Sequence, residues 1–446
     1  MSAAAARQSE REALRRGWCP GALRPMASGD GLIARLRVVG GALAPKAARA
    51  IAEAAASLGN GQIDLTSRAN LQIRGVDERT LPALQAAIAR LGLTDANPDA
   101  EAVRNIVASP LAGLDPAALL DIRPPVAALD RRLRQDRALW LLPGKFAFLV
   151  DDGGSLSVAG EPADIAFAAQ RRGGEVVFAL RLAGQPAGRC AVAEAADVAA
   201  RLSEAFLALR GRNESAARRM RTLVERIGMA PILRAAGLNA DAPTVPEAPR
   251  AAPLLLGLRD LGRFRALGVG APFGRLDATQ LTALADAAES AEGALRLTPW
   301  RAVLIAGKRV DEALALRLRE QGFVLDEDDP IRAVAACPGA PACANASTET
   351  QKDAARLAPL ARRLASHGVA LHVSGCAKGC ARAAATATTF VGRSGWYDIV
   401  LDGCACDEPA LLGVAIENLS AALEALAGAP RGQRAAALRA FAMERP

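Results

Sequence analysis

The sequence of 446 residues has few aromatic side chains, only two histidines and no long apolar run. Aromatic residues make up 3% of the chain, too few for a platform on which nucleic-acid bases stack, so we expect no nucleic-acid partner. No stretch approaches the roughly 20 consecutive apolar residues of a membrane span. Residues 1–17 carry charges but lack the apolar segment of a secretory signal, so we expect a cytoplasmic protein.

What the chain does contain suits a folded protein that handles anions. Apolar residues make up 51% and charged residues 23%, which is enough to build buried cores over about three domains. Lys and Arg number 55 against 47 Asp and Glu, and most of the basic residues are arginine. Because a guanidinium pairs with a carboxylate through two parallel hydrogen bonds, these arginines favour carboxylate-bearing ligands. The eight cysteines of a cytoplasmic protein should be reduced or bound to metal.

Two modules recur along the chain. The segment 63–69 resembles 295–302, and each lies between a predicted helix and a second apolar run. In the first copy we predict a strand over 32–39, a helix after Pro45, strands near 62–66 and 70–74, and a helix near 81–91. The second copy repeats this order, with Asp277 and Gln280 as a capping box at its first helix. Each copy is therefore predicted as half of a larger ferredoxin-like sheet.

A second and sharper repeat relates residues 103–110 to residues 331–338. A helical segment and later a hairpin follow each copy, and in the second copy the predicted hairpin strands are 388–392 and 396–401. We predict an α+β fold in the order 17–95 (ferredoxin-like half-domain 1), 96–240 (α/β domain 1), 241–253 (linker), 254–326 (ferredoxin-like half-domain 2) and 327–446 (α/β domain 2), the copies being related by a pseudo-two-fold axis.

Four cysteines form a constellation in the second copy. Cys337 and Cys343 have C-x5-C spacing, and Cys376 and Cys380 have C-x3-C spacing, each pair in a loop rich in Gly or Pro. Four thiolates suit zinc or an iron–sulfur cluster, but zinc ribbons favour shorter spacings, so we predict an iron–sulfur cluster. The first copy carries Ser109 where Cys337 would be, so one half is predicted to hold a cluster and the other to lack it.

With its paired half-sheets, this cysteine pattern resembles the nitrite and sulfite reductase family, which couples a [4Fe-4S] cluster to sirohaem. Three segments are similar to family motifs: 66–70 (TSRAN), 103–105 (VRN) and 142–146 (LPGKF). The resemblance runs from about residue 18 to residue 417 and implies a duplicated reductase architecture.

Segments 17–21 and 26–32 look like one branch of the family, the oxygen-dependent enzymes that act on precorrin-3A in aerobic cobalamin synthesis. Family reductases surround their small oxyanion with two arginines and two lysines, one lysine pair coming from a Lys-Phe-Lys triplet. Here the triplet is Lys145-Phe146-Ala147, so one cation is lost. That departure favours a site whose substrate is the tetrapyrrole itself.

The resemblance to this branch implies a monooxygenase that hydroxylates precorrin-3A at C-20 with dioxygen and closes a γ-lactone. It also implies a mononuclear non-haem iron, whose ligands the sequence does not identify; the histidines His367 and His372 favour structural roles. The catalytic residues are not assigned. The candidate substrate-binding cations are Arg68, Arg104, Lys145, Arg301, Arg332 and Lys378.

No glycine-rich loop has dinucleotide-binding spacing, so we predict that a separate NAD(P)H-dependent reductase supplies electrons. Two alternatives remain open: a sirohaem-dependent sulfite or nitrite reductase, and a non-catalytic electron carrier with a cluster but no tetrapyrrole affinity. Because the internal duplication already supplies a two-fold pairing, we expect a monomer. The roles of the remaining cysteines stay open: Cys19, Cys190, Cys404 and Cys406.

Overall fold

The computed structural model describes residues 3–14, 18–95, 97–211, 216–239, 255–364 and 368–443. The chain divides into two compact units: unit 1 contains residues 1–16, 27–31 and 326–446, and unit 2 contains residues 17–26 and 32–325. Within the described ranges, no helix is long and apolar enough to cross a membrane. The predicted linker 241–253 and His367 lie outside the described residues.

The two predicted half-domains contain the same elements in the same order. The N-terminal helix and the first half-domain comprise α1 (Ala3–Ala13), β1 (Met26–Ser28), β2 (Gly31–Leu36), β3 (Ala42–Leu43), α2 (Pro45–Leu58), β4 (Gln62–Leu65), β5 (Leu71–Val76) and α3 (Leu81–Arg90). The second half-domain comprises β11 (Gly257–Asp260), β12 (Arg265–Gly270), β13 (Arg275–Asp277), α9 (Ala278–Ser290), β14 (Gly293–Leu297), β15 (Ala302–Gly307) and α10 (Glu312–Glu320). The predicted capping box of Asp277 and Gln280 opens α9, because each side chain accepts the other residue's backbone N–H.

The half-domains exchange one strand each. The sheet orders are β1-β2-β5-β4-β13 and β11-β12-β15-β14-β3. Strand β13 of the second copy therefore completes the sheet of the first, and β3 of the first copy completes the sheet of the second. Leu43 pairs with Leu295, and Leu276 pairs with Ile63. Since α2 also packs on α9, the two copies share one hydrophobic core.

The two α/β domains also share one topology. The first comprises α4 (Pro98–Val103), β6 (Ile106–Ala108), α5 (Arg123–Gln135), β7 (Phe148–Asp151), β8 (Ile165–Arg172), β9 (Glu175–Leu182), β10 (Gln185–Cys190), α6 (Ala195–Leu209), α7 (Met220–Ile227) and α8 (Met229–Ala235). The second comprises β16 (Val334–Ala336), α11 (Thr350–Ala361), β17 (Leu371–Ser374), β18 (Thr386–Arg393), β19 (Trp396–Gly403), β20 (Leu411–Val414), α12 (Leu419–Gly428) and α13 (Arg434–Met443). The hairpin of β18 and β19 confirms the prediction for this region.

In each α/β domain three parallel strands are followed by two antiparallel ones. The orders are β6-β7-β8-β9-β10 and β16-β17-β18-β19-β20. Ile106 pairs with Phe148 as Val334 pairs with Leu371. This common register makes Ser109 the counterpart of Cys337, and Asp152 the counterpart of Gly375.

Candidate functional site

The four cysteines of the predicted cluster lie on two loops at one edge of the unit 1 sheet. Cys337 and Cys343 follow β16, and Cys376 and Cys380 follow β17, its parallel neighbour. Parallel strands bring their carboxyl ends to the same edge, so both loops start side by side. Cys337 is buried, whereas Cys380 is exposed.

The sulfur atoms are close enough to influence one another, and backbone N–H groups point at them. The Gly375 N–H donates to Cys337 Sγ at 3.2 Å. Burial, reinforced by the neighbouring Cys380, Cys337 and Cys343 and opposed by a hydrogen bond from the Lys378 backbone, raises the pKa of Cys376 to about 12. Four converging thiols are costly to ionise together unless a metal cluster compensates their charge. The donor set therefore fits an iron–sulfur cluster.

A single iron ion has no candidate site among the residues that the structure describes. Among the described residues, no group of three or more His, Cys, Asp or Glu side chains could hold one metal ion. His372 is fully buried on β17. The described residues therefore do not fit the mononuclear non-haem iron that the resemblance implied, and we derive no chemical step from it.

In the first α/β domain, carboxylates occupy the place of the cysteine loops. Ser109 Oγ accepts the Asp152 N–H at 3.0 Å, as Cys337 Sγ accepts that of Gly375. Asp115, Asp151 and Asp152 bind backbone N–H groups of this loop, and we call them the carboxylate cluster. Burial, reinforced by Asp151 and Asp115, raises the pKa of Asp152 to about 6. This copy organises its loop with hydrogen bonds to carboxylates and has no thiolate set.

Unit 2 contains three neighbouring arginines, Arg35, Arg37 and Arg68, which we call the arginine cluster. Burial, reinforced by the neighbouring Arg35, lowers the pKa of Arg37 and of Arg68 to about 10. Cys19 lies beside all three and forms a hydrogen bond with Arg35. Several desolvated cations at close range attract an anion with more than one negative charge.

Within the arginine cluster, the surroundings of Arg37 indicate a missing ligand. Its side chain is 1% exposed, and its nearest carboxylate oxygen, Glu101 Oε1, is 3.4 Å away. That carboxylate is shared with the backbone N–H groups of Ala22 and Leu23. Arg37 Nε is buried without a hydrogen-bond partner in the described part of the chain. A buried guanidinium N–H is costly to leave unpaired, so a bound carboxylate would satisfy it.

Two of the predicted cations lie together near this cluster. Arg68 Nη2 donates to the carbonyl oxygen of Lys145 at 2.8 Å, and the Lys145 side chain is exposed. Asn105 holds the same loop, because its Nδ2 donates to the carbonyls of Gly144 and Phe146 at 3.2 Å each. The family-like segments 66–70, 103–105 and 142–146 are therefore brought together in space.

The other four predicted cations have different surroundings. Arg104 is buried between Asp130 and Asp95, at 2.7 and 2.6 Å. Arg301 has a left-handed backbone, with φ of 58°, and packs against Gly274. Arg332 and Lys378 belong to unit 1, where Arg332 pairs with Glu327 at 2.6 Å and Lys378 lies between two of the cysteines. Arg104 already has two carboxylate partners, and its role in substrate binding stays a prediction.

The position of the missing lysine is buried. Ala147 is 1% exposed, and its N–H donates to Asp164 Oδ2 at 2.9 Å. Asp164 in turn pairs with Arg219 at 3.0 Å. Because alanine carries no charge, Arg219 is the residue that neutralises the carboxylate of Asp164.

The second half-domain lacks every member of the arginine cluster. The strand registers make Gly268 and Gly270 the counterparts of Arg35 and Arg37. A Cβ atom at Gly268 would lie 1.7 Å from the carbonyl oxygen of Leu255, so the chain itself fills that space. The counterpart of Arg68 is Trp300, whose Nε1 donates to Glu161 at 2.7 Å.

This alignment corrects the match of Arg68 with Arg301 made from the sequence. Thr66 Oγ1 accepts the N–H groups of residues 68 and 70, and Thr298 Oγ1 accepts those of residues 300 and 302. Ala69 and Arg301 share a positive φ. The loops have equal length, so the sequence match had introduced a gap that the fold does not contain.

Sequence reasoning missed Arg35 and Arg37. The available signal was two arginines at i and i+2 in a half-buried strand, since such residues leave the same face of a sheet. Only the neighbouring Arg68 and Cys19 show that this face is enclosed.

Two protein-family models match parts of this chain. It matches the model for the nitrite/sulfite reductase ferredoxin-like half domain over residues 24–91 and 257–317. It also matches the model for the nitrite and sulphite reductase 4Fe-4S domain over residues 99–243. The second match falls on the copy that carries the carboxylate cluster.

Individual relatives extend over most of the chain. A precorrin-3B synthase from Sinorhizobium sp. is 31% identical over 88% of this chain and 84% of its own length. A ferredoxin–nitrite reductase from Synechococcus elongatus is 28% identical over 90% of this chain and 86% of its own length. The structure of the Mycobacterium tuberculosis NirA protein superposes with a TM-score of 0.74 at 22% identity, over 92% of this chain and 85% of that one, and shows the same fold.

Proposed function

The chain belongs to the nitrite and sulfite reductase family, and from that premise we propose that it is an oxidoreductase of precorrin-3B synthase type. In this proposal it hydroxylates precorrin-3A at C-20 with dioxygen, and a ring acetate closes a γ-lactone. One oxygen atom enters the substrate and the other leaves as water, with two electrons and two protons consumed. The observation that carries the proposal is the arginine cluster, together with the relative of that name at 31% identity.

We propose that the arginine cluster and Lys145 bind the acetate and propionate groups of the tetrapyrrole. Arg37 Nε has no partner within the described residues and sits in a cationic environment that a carboxylate would relieve. Arg68 is held by the Lys145 carbonyl, so the guanidinium is oriented before substrate arrives. Arg301, Arg332 and Lys378 stay predictions for further carboxylates.

We propose that Cys337, Cys343, Cys376 and Cys380 hold a [4Fe-4S] cluster, which supplies electrons one at a time when bound. The N–H groups of Gly375 and Lys378 would stabilise the thiolate charge. A separate NAD(P)H-dependent reductase is proposed as the electron source, and the enzyme is proposed to act as a cytoplasmic monomer.

The second candidate is a sirohaem-dependent nitrite or sulfite reductase, which the 28% identical ferredoxin–nitrite reductase supports. Acid-solvent extraction of the anaerobically purified protein, followed by mass spectrometry, separates the two. Sirohaem at one equivalent per cluster would contradict the precorrin proposal. An iron–sulfur protein free of sirohaem should next convert precorrin-3A under ¹⁸O₂ to a product that carries one labelled oxygen. A cluster without such turnover would favour an electron carrier.

A further inference from the structure

A short N-terminal segment, residues 27–31, belongs to unit 1 although the chain on both sides of it belongs to unit 2. It contacts the loop that carries Cys343. Ser28 Oγ donates to the carbonyl oxygen of Ala342 at 2.7 Å, directly before this cysteine in the chain. The segment therefore touches one arm of the proposed cluster site.

Gly29 packs directly on the backbone of that loop. A Cβ atom built at Gly29 would lie 2.3 Å from the carbonyl oxygen of Pro341, 2.8 Å from the Ala344 nitrogen and 2.9 Å from the Cys343 carbonyl carbon. All three contacts are with main-chain atoms, which cannot rotate away as a side chain could. The glycine is needed for space and not for a left-handed backbone, so any other residue must displace the loop.

The loop itself is tightly folded on its other side. The Cys343 N–H donates to the Gly339 carbonyl at 2.7 Å, and the Ala340 N–H donates to the Thr348 carbonyl at 2.8 Å. Because these bonds couple Cys343 to its neighbours, a push on Pro341 and Ala344 is transmitted to the cysteine. Small shifts of a ligand matter here, because metal sites tolerate only a few tenths of an ångström in ligand distance.

We propose that residues 27–31 form a positioning clamp for Cys343, with Gly29 and Ser28 as its positioning residues. The proposal rests on the proposed function for the presence of the cluster. The clamp fixes the direction from which Cys343 approaches the metal, and so sets how firmly the cluster is held and the potential at which it is reduced.

The test compares Gly29→Ala with Gly432→Ala in anaerobically purified, full-length protein. Gly432 lies in the same unit, and a Cβ atom there meets nothing within 4 Å. We expect Gly29→Ala to lose iron and acid-labile sulfide in air about tenfold faster than wild type, as for other residues that support metal ligands. The cluster that remains should show an altered EPR spectrum and midpoint potential. Wild-type values for Gly29→Ala would overturn the clamp.

Ser28→Ala is the second variant, because it removes one hydrogen bond without adding bulk. Circular dichroism of each protein establishes that it folds. If Gly29→Ala does not fold, Ser28→Ala decides: a shifted potential supports the clamp, and a wild-type spectrum and potential refute it. Wild-type protein without iron and sulfide would refute the cluster itself, whereas a wild-type cluster with unaffected variants refutes only the clamp.

Discussion

The two copies of each module keep their backbone and differ where chemistry is expected. One α/β domain places Cys337 at the end of its first strand, and the other places Ser109 there, with the same hydrogen bond from the residue after the neighbouring strand. One half-domain carries Arg35 and Arg37 on its second strand, and the other carries Gly268 and Gly270 in the same register.

These differences between the copies show how a duplicated fold confines a site to one copy. Removing a buried cation or thiolate leaves a space. The second half-domain fills that space with main chain and Trp300, and the first α/β domain fills it with hydrogen-bonded carboxylates. Interiors are close-packed, so a vacated site is costly unless something else occupies it. The copies therefore share a topology and a core, while side chains at a few equivalent positions distinguish them.

Replacing a cysteine of the C-x5-C or C-x3-C loop should have the greatest effect, and replacing a cysteine outside these loops should have none on the cluster. Cys343→Ser should abolish the [4Fe-4S] cluster, since a thiolate ligand is lost. Cys404→Ser is the matched control, because Cys404 lies outside the C-x5-C and C-x3-C loops. Iron and acid-labile sulfide per chain measure the result. A full cluster in Cys343→Ser would refute the ligand assignment.

The next prediction tests whether Trp300 only fills the space that corresponds to Arg68 or itself contributes to a binding site. Trp300→Ala should lower the free energy of unfolding by about 3 kcal/mol, because it opens a cavity and leaves Glu161 without its donor. Chemical denaturation measures it. Tetrapyrrole affinity should stay at the wild-type value; a matching loss of affinity would mean that the second copy also binds substrate.

A third prediction concerns the carboxylate cluster. The pKa of Asp152 is raised in the folded state to about 6, so the folded protein binds a proton that the unfolded chain releases near pH 4. Stability should fall as pH rises from about 4 to about 6 by up to about 3 kcal/mol, and this loss persists above that window. Asp152→Asn should remove this dependence in denaturation curves at several pH values.

Asp260→Asn is the control for that experiment. Asp260 also accepts the N–H of the residue two positions later, Gly262, at 2.8 Å, but it is exposed. We expect its pH profile to follow the wild type. If Asp152→Asn keeps the wild-type slope, then Asp152 does not titrate in this window and the raised pKa is wrong.

The last prediction compares an arginine of the first half-domain with an arginine of the second. Arg68→Gln should weaken binding of a tetrapyrrole polycarboxylate by about tenfold, because one charge-assisted hydrogen bond is lost. Isothermal titration with sirohydrochlorin as the probe measures the affinity. Arg309→Gln, a change at an exposed arginine of the other half-domain, should have no effect. Equal affinities for both variants would exclude Arg68 from the site.

Much of the local structure could be predicted from the sequence. The capping box at Asp277 and the β18–β19 hairpin follow from short-range chemistry, and the structure has both. The helical segment predicted after the second repeat is α11, which ends at Ala361 with Pro359 in its last turn. The cysteine spacing pointed to the loops that the parallel strands β16 and β17 bring to one edge.

By itself, the sequence determined the duplication, the order of the elements and the four thiols, because periodicity, turn residues and spacing are local properties. Only the tertiary structure decided which residues face one another. It exchanged β3 and β13 between the half-domains, enclosed Arg35 and Arg37, and aligned Trp300 with Arg68. Strand pairing and packing join residues more than 200 positions apart, and no local pattern encodes which distant strand a short segment will pair with.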